Sequence, residues 1–570
     1  MTVIATAGHV DHGKSSLVLA LTGTDPDRFE EEKRRGLTID LGFAHTVLPS
    51  GEELSFIDVP GHVKFLRNML AGVGGVTACV FVVAATEGWK PQSEEHLRIL
   101  ELLGIDAGLI ALTKSDLVDD DLLELARMDV ADHVAGTFLS EAPVVAVSAS
   151  LGDGLDELRL ELDRLVERTT RAGDAGRPRL WIDRVFAAKG SGTVVTGTLT
   201  GGRFAVDQTV VIDDREARIR GLQSAGRPVD EIGPGTRVAV NLSGVDHHEL
   251  ARGHALVAPG QWRATDRIDA SVHVLAALDH DLSRRGAFVA YFGSGEHTAR
   301  VRVLGSETIA PGDDGFVRLF LPRALPVLPG DRFVLRESGR DETIGGGEVL
   351  DIDPVLRASR AAPDRTIERV VRERGWVTAG DVQRLTGQRV EPTVGEWLTT
   401  DDELTAMREL LVDRVESAGP TGVDVASFDD RERAVLDTLD EVLVDATTVR
   451  AADTVDPFVD HPYLDVARAG GFMPPQPDDV DRAELRELVR RGHVVARDGM
   501  HFHADTVDAA ALLAARLLSA SPDGFTVATF RDATGASRKF ALPLVAELDA
   551  RGVTRRRDDL RIAGPRLPDA

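Results

Sequence analysis

Over residues 1–170, short apolar runs alternate with stretches whose apolar positions recur at helical spacing. The runs at 3–7, 54–58, 80–84, 108–113 and 144–147 predict strands, and stretches such as 14–22 and 93–103 predict helices. Such alternation predicts a parallel sheet covered by helices. A Gly-, Arg- and Thr-rich stretch at 168–179 reads as a linker. From 178 to 353 the helical period fades. Short Val- and Thr-rich runs, such as 192–200, 209–212 and 237–242, are punctuated by glycine and predict two β-barrels in tandem, at 178–258 and 259–353. Beyond 353 the pattern becomes helical again, with apolar stripes at 366–374, 381–385, 431–443, 482–491, 507–518 and 542–551. Some are followed by a short extended pair, as at 493–497 with 500–503. Helices closed by a hairpin are the recipe of a winged helix. Two or three such modules are expected over 360–507, and a C-terminal one over 508–570. The expected fold class is therefore multidomain: an α/β domain, two β-barrels and tandem winged-helix modules.

Composition narrows the class. At 570 residues the chain exceeds what one hydrophobic core serves. No apolar run approaches the roughly 18–20 residues needed to cross a bilayer, and the first strand follows the N-terminus without a basic stretch, so no signal peptide is expected. The only cysteine, Cys79, lies in an apolar run, which rules out an internal disulfide framework and suits a reducing, cytoplasmic setting. A net charge of -27 argues against broad, nonspecific nucleic-acid binding, so any RNA contact must come from local basic patches. A monomer is the default expectation.

The candidate chemistry begins at Gly8, where Asp11, His12, Gly13, Lys14 and Ser15 complete the phosphate-loop pattern G-x-x-x-x-G-K-[ST] between a strand and a helix, with Ser16 following as a further candidate for the nucleotide. Backbone N–H groups freed by the glycines can converge on phosphate oxygens, Lys14 can reach the β- and γ-phosphates, and the Ser15 hydroxyl can ligate Mg²⁺. Asp58 and Gly61 form an Asp-x-x-Gly at the end of a later strand, suited to holding Mg²⁺ through water and touching a γ-phosphate. Thr113, Lys114 and Asp116 end another strand. A carboxylate there accepts from guanine N1 and N2, which adenine does not offer, so the nucleotide is expected to be GTP or GDP. Ser148 and Ala149 would supply an amide for guanine O6. Most GTPases carry Asn where Thr113 stands. Thr38, between the phosphate loop and Asp58, is the candidate switch threonine and second Mg²⁺ ligand. His62, next to Gly61, can orient an attacking water and is the candidate catalytic residue.

These motifs carry a resemblance. Gly8–Ser15 as GHVDHGKS, Asp58–His62 as DVPGH, and Asn68-Met69 look like the translational GTPases. Residues 31–44, EEKRRGLTIDLGFA, more narrowly resemble the selenocysteine-specific elongation factor (SelB) family, as do Ile182 to Phe186 with Gly190 to Thr198, Thr343 to Asp351, and Gly524 to Val527 with Ser537 to Leu544. The family accepts a threonine at the position of Thr113. Residues 390–480 carry little recognisable likeness.

The resemblance implies a ribosome-stimulated GTPase that carries selenocysteinyl-tRNA to UGA codons marked by a hairpin (SECIS) in the mRNA, its last winged helix binding that hairpin. It assigns the selenocysteine pocket to Asp183, Arg184 and Arg237. Guanidiniums fit a selenolate, which is anionic near neutral pH where serine and cysteine are mostly neutral. For the mRNA end, residues 531–566 hold nine basic against five acidic side chains. Arg531, Arg538, Lys539, Arg555 and Arg556 are the candidate contacts. The alternatives are a general elongation or initiation factor, and a nucleic-acid-binding regulator that senses GTP. The pocket arginines could equally be surface ion pairs, and the basic run a solvated face.

Overall fold

The computed structural model describes residues 2–27, 32, 38–62, 65–73, 76–169, 172–188, 192–454 and 457–569. Residues 31 and 33–37 of the expected switch segment, and residues 190–191 of the expected barrel motif, lie outside them. Two compact units result, Met1–Glu391 and Pro392–Ala570.

The first unit opens with a six-stranded sheet. Its elements are β1 (Thr2–Ala7), α1 (Lys14–Thr22), β2 (Gly42–Val47), β3 (Glu53–Asp58), α2 (Leu66–Val73), β4 (Ala78–Ala84), α3 (Pro91–Leu102), β5 (Gly108–Thr113), α4 (Asp120–Val134), β6 (Val144–Ala146) and α5 (Leu155–Arg168). The strand order is β2-β3-β1-β4-β5-β6, parallel except for β2. All seven residues of β4 are buried because helices cover both faces, hence the unbroken apolar run. On one face Ala5, Ile57, Phe81 and Val83 share a core with residues of α2, α3 and α4. On the other, Ile4, Phe56, Val80 and Val82 meet α1 and α5. The edge strand β2 was not anticipated. Its half-buried sequence Gly-Phe-Ala-His-Thr-Val has no apolar run to announce it.

Two closed barrels follow. In the first, Thr209–Ile212, Ala255–Val257, Arg179–Trp181, Gly192–Thr200, Thr236–Ser243 and Arg215–Ser224 are neighbours in that order, and the last pairs back onto the first. The second runs Thr265–Val274, Asp314–Leu325, Gly295–Leu304, Phe288–Phe292, Arg332–Glu337 and Glu342–Asp351. Val289, Tyr291 and Val334 of the second barrel join the core beneath α2, α3 and α4, so that barrel is packed onto the α/β domain.

The helices Ile367–Arg374 and Ala379–Thr386 depart from the expectation that winged-helix modules begin at 360. They belong to the first unit. Val370 and Leu385 enter the second barrel's core, and buried Arg369 pairs with Asp351 at 2.7 Å and Glu373 at 2.9 Å. An apolar stripe shows that a helix has a buried face, without showing which neighbour it is buried against.

In the second unit, Asp401–Ser417 and Asp430–Leu436 accompany a sheet ordered Val423–Asp424, Thr448–Ala451, Val442–Val444. The helix expected over 431–443 thus ends at Leu436, and its last residues are strand. Pro462–Gly470 and Arg482–Arg490 precede the hairpin Val494–Arg497 with Met500–His503. Then Ala504–Ala520, Val527–Thr534 and Arg538–Ala550 pack on a sheet ordered Phe525–Thr526, Leu560–Ala563, Thr554–Arg557. The boundary expected at 508 falls inside the helix Ala504–Ala520, and Met500 and Phe502 share that module's core. Among the described residues, no helix is long and apolar enough to cross a membrane.

Arg369→Ala would leave the Asp351 carboxylate buried without its charge partner. A loss of about 3–5 kcal/mol is expected, measured as a lower denaturant midpoint for the first unit, with the transition of the second unit unmoved.

Candidate functional site

The loop between β1 and α1 is built on backbone that side chains disfavour: φ is 126° at Gly8, 63° at Asp11 and 83° at Gly13. A Cβ at Gly8 would lie 2.1 Å from the Val82 carbonyl oxygen, so only glycine lets the loop rest on β4. Lys14 is buried and donates to the carbonyls of Gly8 at 3.0 Å and His9 at 2.7 Å, spanning the loop. Burial lowers its pKa to about 8, against the pull of Asp58, Asp11 and Asp27. His12 is buried, and its Nε2 meets no hydrogen-bond partner among the described residues. Asp11 and Ser16 are exposed.

Helix α3 braces the loop, which the sequence reading did not foresee. Gly8 N donates to His96 Nδ1 at 3.1 Å, and Val10 N donates to Gln92 Oε1 at 3.2 Å. Burial drives the His96 pKa down to about 3, so the ring stays neutral and able to accept. No sequence signal separates these two residues from ordinary polar positions on an amphipathic helix.

Beside the loop, oxygens converge. Ser15 Oγ donates to Asp58 Oδ2 at 2.7 Å and lies 2.7 Å from Thr38 Oγ1. Asp58 Oδ1 accepts from Thr6 Oγ1 at 2.7 Å, which anchors the end of β3 to β1. Thr38 Oγ1 also donates to Asp27 Oδ1 at 2.9 Å, adding a carboxylate that the motifs did not single out. Burial raises the pKa of Asp58, and that of Asp27 to about 6. Two hydroxyls and two carboxylates with no soft donor form a set that fits a hard divalent cation such as Mg²⁺. Glu32, buried, accepts from the amides of Ile39 and Asp40 at 3.0 and 3.1 Å and fixes the backbone just after Thr38.

Gly61 lies against the loop, and a Cβ there would come 2.5 Å from Lys14 Nζ and 2.6 Å from Val10 N. His62 follows, half-buried, its ring 5.9 Å from that of Phe65. At the far end of the sheet, Thr113 Oγ1 donates to the His12 carbonyl at 2.6 Å. The threonine thereby ties the end of β5 to the phosphate loop. Lys114 adopts φ 57° and pairs with Glu87 at 3.1 Å. Ser150 Oγ lies 3.5 Å from Asp116 Oδ2, and Ser148 and Ala149 form the turn after β6. The loops carrying Lys14, Asp58, Asp116 and Ser148 all leave the same, C-terminal, edge of the parallel strands.

The first barrel brings Asp183, Arg184 and Arg237 together, and adds Phe43. Arg237 forks onto Asp183 at 2.5 and 3.1 Å, while Thr196 Oγ1 donates to the same carboxylate at 2.6 Å. The Arg237 guanidinium lies 3.4 Å from the centre of the Phe43 ring, and that of Arg184 lies 4.5 Å from it. Arg184 also donates to the Leu41 carbonyl and faces Asp40 at 3.6 Å. Arg252 joins Asp40 at 3.5 Å and Asn68 Oδ1 at 3.0 Å, and Asn68 Nδ2 donates to the Ile39 carbonyl at 2.7 Å. Residues 39–43, directly after Thr38, are therefore held by three barrel arginines. A cavity of about 190 Å³ opens beside them, lined by Phe43, Thr196, Gln223 and Arg237 among others.

In the last module, Arg538 and Lys539 are exposed at the N-terminus of Arg538–Ala550, and Arg555 and Arg556 are exposed on the hairpin. Other basic residues of this stretch are engaged internally: Arg531 with Asp532 at 2.5 Å, Arg551 with Glu547 at 3.0 Å, and Arg561 with Asp549 at 2.7 Å. Charge counting along the chain does not reveal such pairing.

Residues 1–168 match the family model described as the elongation factor Tu GTP binding domain. Residues 269–355 match that of the selenocysteine-specific elongation factor beta-barrel domain, and 516–563 that of the elongation factor SelB winged helix. The selenocysteine-specific elongation factors of Desulfomicrobium baculatum and Escherichia coli are 40 % and 36 % identical over 61 % and 63 % of this chain. The matched part spans just over half of those relatives' own length, 55 % and 56 %. A crystal structure of a bacterial selenocysteine-specific elongation factor, EF-Sec, aligns over 99 % of both chains at 25 % identity with a TM-score of 0.72. The SelB of Methanococcus maripaludis in complex with the GTP analogue GPPNHP shares the fold over 62 % of this chain and 80 % of its own, at 24 % identity and a TM-score of 0.54.

Proposed function

The chain belongs to the family of selenocysteine-specific elongation factors, and from that premise we propose that it binds GTP, takes up selenocysteinyl-tRNA and delivers it to the ribosome at UGA codons marked by an mRNA hairpin, hydrolysing GTP on release. One observation carries the reading: the segment that begins at the Thr38 hydroxyl beside Ser15 ends at Phe43, whose ring lies against both the Arg184 and Arg237 guanidiniums. Nucleotide site and cargo pocket share one short stretch of chain.

In this reading the phosphate-loop amides, Asp11, His12, Gly13, Ser16 and Lys14 hold the phosphates, while Asp116, Lys114, Thr113, Ser148 and Ala149 hold the guanine. Ser15, Thr38 and Asp58 would hold Mg²⁺, which when bound neutralises phosphate charge. Gly61 brings its amide to the γ-phosphate and His62 orients the attacking water. While the γ-phosphate is in place, Thr38 is retained and residues 39–43 stay docked on the barrel. Once it leaves, the segment loses its anchor and the pocket loosens.

The pocket chemistry rewards a negative cargo. Asp183 orients Arg237 and neutralises part of its charge; an anion would meet the remaining Arg237 edge and Arg184, which would exchange its contacts with the Leu41 carbonyl and Asp40 for the cargo. Seryl-tRNA would offer those groups only a neutral hydroxyl. For the mRNA hairpin, Arg538, Lys539, Arg555 and Arg556 present exposed cations in a chain of net charge -27, with Arg531 a weaker candidate because of its pairing with Asp532.

The chain loaded with GTP is expected to bind selenocysteinyl-tRNA at least tenfold more tightly than seryl-tRNA on the same tRNA, and to lose that preference with GDP; equal affinities in a filter-binding titration would sink the proposal. His62→Ala is expected to keep GTP affinity within about twofold while ribosome-stimulated hydrolysis falls by roughly 10²-fold or more; unchanged single-turnover rates would remove His62 from the mechanism. Arg538→Glu with Arg555→Glu is expected to abolish hairpin binding and leave tRNA binding intact. These substitutions test the surface without cutting the helix Ala504–Ala520, as truncation at 508 would. Hairpin affinity retained at two salt concentrations would locate the contact elsewhere.

A further inference from the structure

On the second barrel, Glu337 ends one strand, Glu342 begins the next, and the register sets them directly opposite each other. Like charges facing across an antiparallel pair destabilise it unless a cation intervenes. The facing group is His280, whose Nε2 lies 3.5 Å from Glu337 Oε2 and 3.7 Å from Glu342 Oε1. All three donor atoms fall within 4.8 Å of one another. Glu342 Oε1 is shielded from solvent and accepts no hydrogen bond from the described residues.

We propose that His280, Glu337 and Glu342 form a binding site for a divalent transition-metal ion of the zinc class, separate from the nucleotide site. The spacing suits it. Bonds of about 2.0–2.1 Å in a tetrahedral site put neighbouring ligand atoms about 3.4 Å apart, and the two observed separations are only slightly wider. The outer surroundings suit it too. Arg340 donates to His280 Nδ1 at 2.8 Å, so Nδ1 accepts while Arg340 is in place; with Arg340 displaced, Nδ1–H can turn to Asp279 Oδ1, 3.0 Å away, and leave the Nε2 lone pair to the glutamates. Arg340 approaches from the solvent side, 2.8 Å from His280 Nδ1, 3.3 Å from Asp279 Oδ1 and 3.8 Å from Glu342 Oε1. It is the competing cation that the ion would displace, from His280 Nδ1 as well as from Glu342. One imidazole and two carboxylates form a borderline donor set that leaves a fourth position for water.

The position gives the ion a structural consequence. Arg336, next to Glu337, donates to Glu95 of α3 at 3.0 Å, and Thr343, next to Glu342, donates to the same carboxylate oxygen at 3.4 Å. An ion clamping Glu337 to Glu342 would stiffen the hairpin through which the second barrel touches the α/β domain.

The test is a zinc titration of the full chain with Mg²⁺ and GDP in excess to fill the nucleotide site, read by competition with a chromophoric chelator and by thermal unfolding. One equivalent of zinc is expected to bind and raise the melting temperature. His280→Ala and the near-isosteric Glu342→Gln should each weaken binding at least tenfold, and His247→Ala should leave it unchanged. His247 belongs to the other cluster of potential ligands among the described residues, Asp246, His247 and His248. No stoichiometric binding, binding indifferent to both His280→Ala and Glu342→Gln, or binding lost with His247→Ala would overturn the proposal.

Discussion

The Asp58 carboxylate is the fixed point of the first unit. Buried at the end of β3, it accepts from Thr6 on β1 and Ser15 on α1, and Ser15 in turn meets Thr38. Burying a carboxylate is costly unless its oxygens are satisfied. The two hydroxyls that satisfy Asp58 therefore fix the sheet and the start of α1, and Ser15 in turn holds the start of the segment at Thr38. The segment leading to Phe43 has one end fixed by this network and the other by barrel arginines.

The arginines on that segment show how a strongly acidic chain makes local cationic sites. Asp183 orients Arg237 through the fork, and the guanidinium lies over Phe43. Stacking on an aromatic ring is favourable and leaves the edge donors available. In the last module the exposed arginines lie on the hairpin and the helix start, while their neighbours Arg531, Arg551 and Arg561 are already paired. Positive charge is available at particular points rather than spread over the face.

The parallel strands were legible because burial on both faces makes them unbroken apolar runs, and the phosphate loop was legible because its short spacing is constrained by backbone geometry, most tightly at Gly8, where a Cβ would meet the Val82 carbonyl. The edge strand β2 was not, since half of it faces solvent. The helices at 367–386 were visible as helices, but their allegiance to the second barrel was decided by Arg369 reaching Asp351 and by Val370 and Leu385 entering that core. The braces from Gln92 and His96 were equally invisible. A polar side chain on a helix face carries no mark of the amide it will meet.

By itself, the sequence determined the order of the domains and the nucleotide motifs, because each depends on local period or on a short spacing that chemistry constrains; Asp183, Arg184 and Arg237 were singled out by family resemblance and not by spacing. Only the tertiary structure decided that Thr113 ties the end of β5 to the phosphate loop, that Asp27 joins the oxygen cluster, and that Phe43 lies against two guanidiniums. Those contacts join residues far apart in the chain, and their energies depend on burial and distance, which exist only once the sheet and the barrels have packed.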